Sequence, residues 1–166
     1  MINLFGFGSA RHPVADSKIG LVAPVRGVLF PLEEFPDPVF SQGVLGFGYA
    51  VHTDDDVVVS PVKGQIFQMF PTAHAFSVRT PEGVDVLVHI GVDTVGLKGN
   101  GFRPLKIQGN YVEQGEPVVE LENMTALRSA LPCLDTAVVV THSAGLQHGP
   151  PRFDAAFGEV VLEMSP

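Results

Sequence analysis

Apolar residues in this chain come in short runs and alternating positions, not in helical stripes. Runs rich in Val, Ile, Leu and Phe recur at 19–22, 25–30, 44–51, 57–60, 65–70, 75–79, 84–90, 118–121, 137–141 and 158–164. Eighteen glycines and fourteen prolines punctuate the chain, so the segments between runs are built to turn. β-Branched and aromatic residues fit a pleated, half-buried surface, and closely spaced turns return each strand beside the last. The pattern predicts an all-β, antiparallel sandwich or barrel-like fold with at most one or two short helices. One segment departs from it: 124–131 reads as a helix, with Asn123 as N-cap and Pro132 forcing a stop.

An internal echo adds detail. Leu21-Val22-Ala23-Pro24-Val25-Arg26-Gly27-Val28 is matched by Val58-Val59-Ser60-Pro61-Val62-Lys63-Gly64-Gln65, with a shared small-Pro-Val-basic-Gly centre. This is the pattern of a strand, a proline-set bend, and a second strand whose glycine admits close backbone approach. Such duplicated hybrid hairpins resemble those of biotinyl and lipoyl carriers and of some zinc peptidases.

Candidate chemistry concentrates around one predicted hairpin. Thr80-Pro81-Glu82-Gly83 is a turn sequence, and His74 and His89 stand symmetrically about it. If Thr80 faces Gly83, then Val78 opposes Asp85, Phe76 opposes Leu87, and His74 opposes His89 on one face. From Asp85 onward, Val86, Val88 and Ile90 share the face suited to the core, leaving Leu87 and His89 on the other. Two imidazoles held side by side can share a metal ion, or can handle one phosphoryl group with one ring as nucleophile.

Composition narrows the classes. A length of 166 residues suits one domain, expected over 19–166 after an N-terminal tail at 1–18. No apolar run approaches the roughly 20 residues of a membrane-spanning helix. The start lacks a basic region before its apolar residues, which argues against a signal peptide. Leu4, Phe5 and Phe7 allow at most peripheral membrane contact. The single Cys133 fits a reducing cytoplasm. A formal charge of −8, with ten basic residues scattered singly, argues against nucleic acid and favours a partner with a basic docking face.

The run Val86-Leu87-Val88-His89-Ile90-Gly91-Val92-Asp93-Thr94-Val95-Gly96-Leu97-Lys98-Gly99-Asn100-Gly101-Phe102 resembles the active-site block of the glucose-type enzyme IIA family of the bacterial phosphoenolpyruvate:sugar phosphotransferase system. Pro36-Asp37-Pro38-Val39-Phe40-Ser41, Val59-Ser60-Pro61-Val62-Lys63-Gly64 and Phe70-Pro71-Thr72-Ala73-His74-Ala75-Phe76 follow the family in order and spacing. The likeness runs from about Val22 to Glu122. It implies an antiparallel β-sandwich acting as a cytoplasmic phosphocarrier. His89 would accept a phosphoryl group from the histidine phosphocarrier protein and pass it to a IIB domain of a sugar permease. His74 would be its partner, Thr72 would hydrogen-bond the His74 ring, and the Gly91 carbonyl would fix the His89 tautomer. Asp37 and Asp93 would meet basic groups of the donor, within an apolar surround of Val39, Phe40, Val44, Leu45, Phe70, Leu87 and Val95. No cofactor is required, although zinc could bridge His74 and His89 if a partner completed the site. Regulatory protein partners are a further implication of the likeness.

The sequence also departs from the family. Leu87 replaces an aromatic residue, Thr53 stands where proline is usual, and Phe47 occupies a polar or acidic position, adding apolar surface near the docking face. The segment 142–151 resembles nothing in the family and reads as a surface loop. Two other readings share the fold. A zinc peptidase would need a His-x-His pair beside an element such as His52-Thr53-Asp54-Asp55-Asp56, and the chain has none. A purely regulatory binding module would not need Thr72, His74 and His89 together. A biotin or lipoate carrier would need a lysine at a hairpin tip, which neither Lys63 nor Lys98 occupies.

Overall fold

The computed structural model describes residues 17–166, so the apolar residues of the N-terminal tail lie outside the described residues. The strands are β1 (Ile19–Val22), β2 (Gly27–Pro31), β3 (Phe47–Thr53), β4 (Val57–Val59), β5 (Gly64–Met69), β6 (Ala75–Arg79), β7 (Asp85–Val92), β8 (Phe102–Pro104), β9 (Tyr111–Val112), β10 (Pro117–Leu121), β11 (Cys133–His142), β12 (Gln147–His148) and β13 (Val160–Ser165). Two short helices accompany them, α1 (Pro38–Ser41) and α2 (Met124–Ala130). All strand pairs are antiparallel, as the alternation predicts. The expected helix forms where its cap places it: the Asn123 side chain accepts a hydrogen bond from the Ala126 amide. No helix among the described residues is long and apolar enough to cross a membrane.

A seven-stranded sheet, ordered β2-β3-β11-β7-β6-β5-β9, is accompanied by two three-stranded sheets, β1-β13-β12 and β4-β10-β8. Val86, Val88 and Ile90 of β7, Val78 of β6, and Tyr49 and Val51 of β3 join Leu21, Val58, Val119 and Leu162 in one continuous core. The other face of the large sheet carries a smaller apolar cluster, in which Leu32, Phe35 and Phe40 lie over Ala50, Ala137 and Val139. That face is covered at one end by the segment containing α1.

The sequence echo has a structural counterpart. The Val22 amide donates to the Pro61 carbonyl, and the Val59 amide donates to the Pro24 carbonyl, so equivalent positions of the two repeats exchange equivalent bonds. Their glycines also correspond in use. A Cβ on Gly27 would sit 1.8 Å from the His52 carbonyl oxygen, and one on Gly64 would sit 2.1 Å from that of Arg79. Neither position admits a side chain without moving the neighbouring strand.

The 142–151 segment is more than a surface loop. β12 lies within it and pairs with β13 through Gln147 and His148, and Leu146 is buried.

Candidate functional site

His89 sits on β7, the central strand of the large sheet. Its neighbours across the sheet are small: Ala75 on β6 and Ala137 on β11, with Ala50 and then Phe30 continuing the row. Paired residues share a face, so the imidazole stands on a floor of alanines. That floor leaves room for Phe40, whose ring centroid lies 4.8 Å from that of His89. Phe40 is delivered by α1, which begins where the Asp37 carboxylate accepts a hydrogen bond from the Val39 amide and Pro38 occupies the first turn. The alanines carry no chemical signal in the sequence, and only the register reveals them.

The register itself differs from the expected one. Arg79 pairs with Asp85, Val78 with Val86, Phe76 with Val88, and Ala75 with His89. The turn holds one more residue than predicted, because the Thr80 amide bonds the Val84 carbonyl and Val84 belongs to the loop. Phe76 therefore turns into the core, where it is fully buried, and does not face Leu87. A slip of one residue should also carry His74 to the opposite face. It does not, because His74 lies just before β6, after Ala73 with φ of 56°. The bend breaks the alternation at the point where the slip would have separated the rings. His74 and His89 stand edge to face, with centroids 5.2 Å apart.

Thr72 meets the His74 ring as the resemblance implies, through Oγ1 and Nδ1. Phe70 packs edge-on against the same ring at 5.5 Å. Burial lowers the pKa of His74 below the usual imidazole value. Burial lowers that of His89 further, to about 4; the neighbouring His74 adds to the effect, while Asp37 and the Gly91 carbonyl oppose it. Both rings are neutral at pH 7. The Gly91 carbonyl favours the protonated ring of His89, yet it does not meet Nδ1 in hydrogen-bond geometry: Nδ1 is buried without a partner. Reaction at His89 is therefore left to Nε2. Gly91 also has a geometric role, since its φ is 75° and a Cβ there would lie 2.7 Å from Cγ2 of Thr94.

Of the other apolar residues expected at the docking face, Val39, Val44 and Val95 are 45%, 69% and 68% exposed. Leu45 and Leu87 are partly buried against the small cluster. Asp93 is exposed at a left-handed position with φ of 58°, between β7 and the following turn. Phe47 is partly buried against the main core, stacks on His148 at 3.7 Å and lines one pocket with Phe40. Thr53, the other departure on β3, bonds Thr136 through their buried hydroxyls.

The arrangement supplies an imidazole held neutral, whose free ring nitrogen could act as a nucleophile, and a second imidazole beside it. Among the described residues, no three His, Cys, Asp or Glu side chains are grouped so as to hold a metal ion.

The model for the phosphoenolpyruvate-dependent sugar phosphotransferase system, EIIA 1, matches residues 19–146, well past the point where the sequence likeness was expected to fade. The chain is 38% identical over 141 residues to the PTS system glucose-specific EIIA component of Halalkalibacterium halodurans, covering 84% of this chain and 81% of that one. It is 34% identical over 137 residues to the component of the same name from Staphylococcus epidermidis, covering 82% and 81%. Its fold is similar to that of glucose permease IIA from Mycoplasma capricolum, with a TM-score of 0.84 and 31% identity over 89% of this chain and 96% of that one.

Proposed function

The chain belongs to the EIIA 1 family of the phosphoenolpyruvate-dependent sugar phosphotransferase system, and from that premise we propose that it carries a phosphoryl group on Nε2 of His89. It is a phosphocarrier of that system, and nothing supports the peptidase alternative. The donor in this reading is the histidine phosphocarrier protein, and the acceptor is a IIB domain of a sugar permease, with both exchanges in the cytoplasm. The observation that supports it most is the pair of neutral imidazoles at 5.2 Å, with the pKa of His89 held near 4. A protonated Nε2 has no lone pair with which to attack.

In the first half-reaction, the Nε2 lone pair of His89 forms a bond to phosphorus as the donor's N–P bond breaks and its electron pair returns to the donor imidazole. No proton is gained or lost at Nε2. In the second, the acceptor's nucleophile attacks phosphorus from the far side, and the His89 N–P bond returns its pair to the ring. Such transfer needs positioning and charge stabilisation more than covalent assistance. The floor of alanines, Phe40 and the surrounding apolar residues position the ring. Thr72, donating to Nδ1 of His74, leaves the His74 proton on Nε2, where it can donate to a phosphoryl oxygen. The new negative charge raises the basicity of His74, so that ring can become cationic as the group moves.

No organic cofactor takes part in this chemistry. Two imidazoles give an incomplete zinc site, and a bound ion would need further ligands from a docked partner. The test is incubation with phosphoenolpyruvate, enzyme I and the phosphocarrier, followed by intact-mass and peptide analysis. A gain of one phosphoryl group on the peptide containing His89 is expected; a phosphoryl group found only elsewhere, or none, contradicts the reading.

A further inference from the structure

Two buried side-chain atoms have no hydrogen-bond partner among the described residues: Nδ1 of His89 and Oγ1 of Thr94. Leaving a buried polar atom unpaired is costly, so such atoms are few and each calls for a reason. One glycine neighbours both. Asp93, with φ of 58°, turns the chain back after β7, so Thr94 is only 2% exposed although Asp93 and Val95 beside it face solvent. The Thr94 side chain then packs where Gly91 has none: a Cβ on Gly91 would lie 2.7 Å from Cγ2 of Thr94. From its other side, the Gly91 carbonyl acts on the ring of His89. Rotation of Thr94 about χ1 by one staggered position exchanges Cγ2 and Oγ1. It brings the hydroxyl to the contact with Gly91 that the methyl now holds.

The chemistry gives that hydroxyl a task. His89 attacks through Nε2, so its single proton stays on Nδ1. Once the N–P bond forms, the ring carries a positive charge shared between Nδ1–H and the phosphorylated nitrogen. While Nδ1 keeps its proton, attack by the acceptor returns the N–P electron pair to the ring, which departs as neutral imidazole. A ring that has lost the proton must depart as an imidazolate anion, a far poorer leaving group. A hydrogen bond accepted from Nδ1–H favours the charged form and so holds the proton in place. Threonine suits this need, because its oxygen can accept from Nδ1–H while its own hydrogen goes to a carbonyl. The Cys133 carbonyl oxygen lies 3.2 Å from the same point beside Gly91.

Resting on the phosphocarrier reading above, we propose that Thr94 is a positioning residue for His89: its hydroxyl accepts the hydrogen bond from Nδ1–H, fixing the tautomer before transfer and keeping the ring a good leaving group after it. The family likeness gives the first of these tasks to the Gly91 carbonyl, which does not meet Nδ1 in hydrogen-bond geometry. Two full-length variants test the proposal. Thr94→Val keeps the shape and removes the hydroxyl, whereas Thr94→Ser keeps the hydroxyl. Nitrogen-15 NMR of the uncharged protein reads the tautomer without any phosphoryl transfer. His89 should carry its proton on Nδ1 in the wild-type protein and in Thr94→Ser, and should show both tautomers in Thr94→Val. Onward transfer to IIB is then followed across the pH range with labelled phosphate. On its alkaline limb Thr94→Val should be about tenfold slower, the equivalent of one pKa unit at the ring. At the acid end, where the ring keeps its proton regardless, it should match the wild type, and Thr94→Ser should match it throughout. The melting temperature of Thr94→Val should fall, because Nδ1–H loses its acceptor; removing a hydroxyl that had no partner would raise it. An unchanged tautomer in Thr94→Val, equal slowing at every pH, or a raised melting temperature overturns the inference. If the wild-type protein takes no label, the phosphocarrier reading fails, and the tautomer measurement still decides the bond.

Discussion

At the scale of residues, the chemistry turns on how the protein keeps His89 neutral. Burial and a neighbouring imidazole outweigh Asp37 and the Gly91 carbonyl, so the ring is ready to attack throughout the physiological range. Titration followed by NMR of the ring protons should give a midpoint near 4; one near 6.5 would mean that the site is open to water. The sign for stability follows. The unfolded chain binds the proton near pH 6.5 and the folded one only near 4, so stability should fall as pH falls through this interval, and His74 acts in the same direction. Chemical denaturation at pH 7.5 and pH 5 checks this, and His89→Gln should flatten part of the dependence. The residues of the site were legible because histidine, threonine and glycine carry chemistry or geometry in their identity. Ala50, Ala75 and Ala137 were not, because what they contribute is the absence of a side chain.

Among the elements, the β7 hairpin shows why a right conclusion can come from a wrong register. The turn sequence predicted a hairpin and the hairpin formed, but Val84 joined the loop and moved every pair by one. The left-handed Ala73 then restored the proximity of the histidines; nothing in a period of two announces such a bend. One or two short helices were expected and two form, but α1 was not located in advance, for a related reason. Four residues are too few for a periodic pattern, and only Asp37 before Pro38 marks the start. Its packing is testable at Ala137, which lies between His89 and Ala50 under this covering segment. Ala137→Leu should overpack the small cluster and cost about 1–3 kcal/mol, measured by urea denaturation. It should also slow phosphoryl acceptance by displacing Phe40. Stability lost without any change in acceptance would show that the position of Phe40 does not matter for transfer.

For the whole molecule, the fold was legible because alternation, turn residues and the internal repeat agree on one architecture. The pairing order was not, since β11 inserts between β3 and β7 from far along the chain. A net charge of −8 gives the molecule a field that favours basic partners, and Asp93 stands exposed beside the active strand. Because its backbone is left-handed, asparagine is the substitution that removes charge without adding strain. Asp93→Asn should slow charging by the phosphocarrier several-fold at low salt, with the difference vanishing at about 0.5 M, where screening is nearly complete. Equal slowing at every salt concentration would give Asp93 a structural role. The claim on which the whole account depends is that the phosphoryl group passes through His89 with His74 assisting. Labelled phosphate followed through both half-reactions tests it in the wild-type protein, His89→Gln and His74→Gln. His89→Gln should take no label, whereas His74→Gln should be charged but transfer onward poorly, because an amide can donate a hydrogen bond but cannot become cationic. Label on His89→Gln, or none on His74→Gln while His89→Gln is charged, would contradict the account.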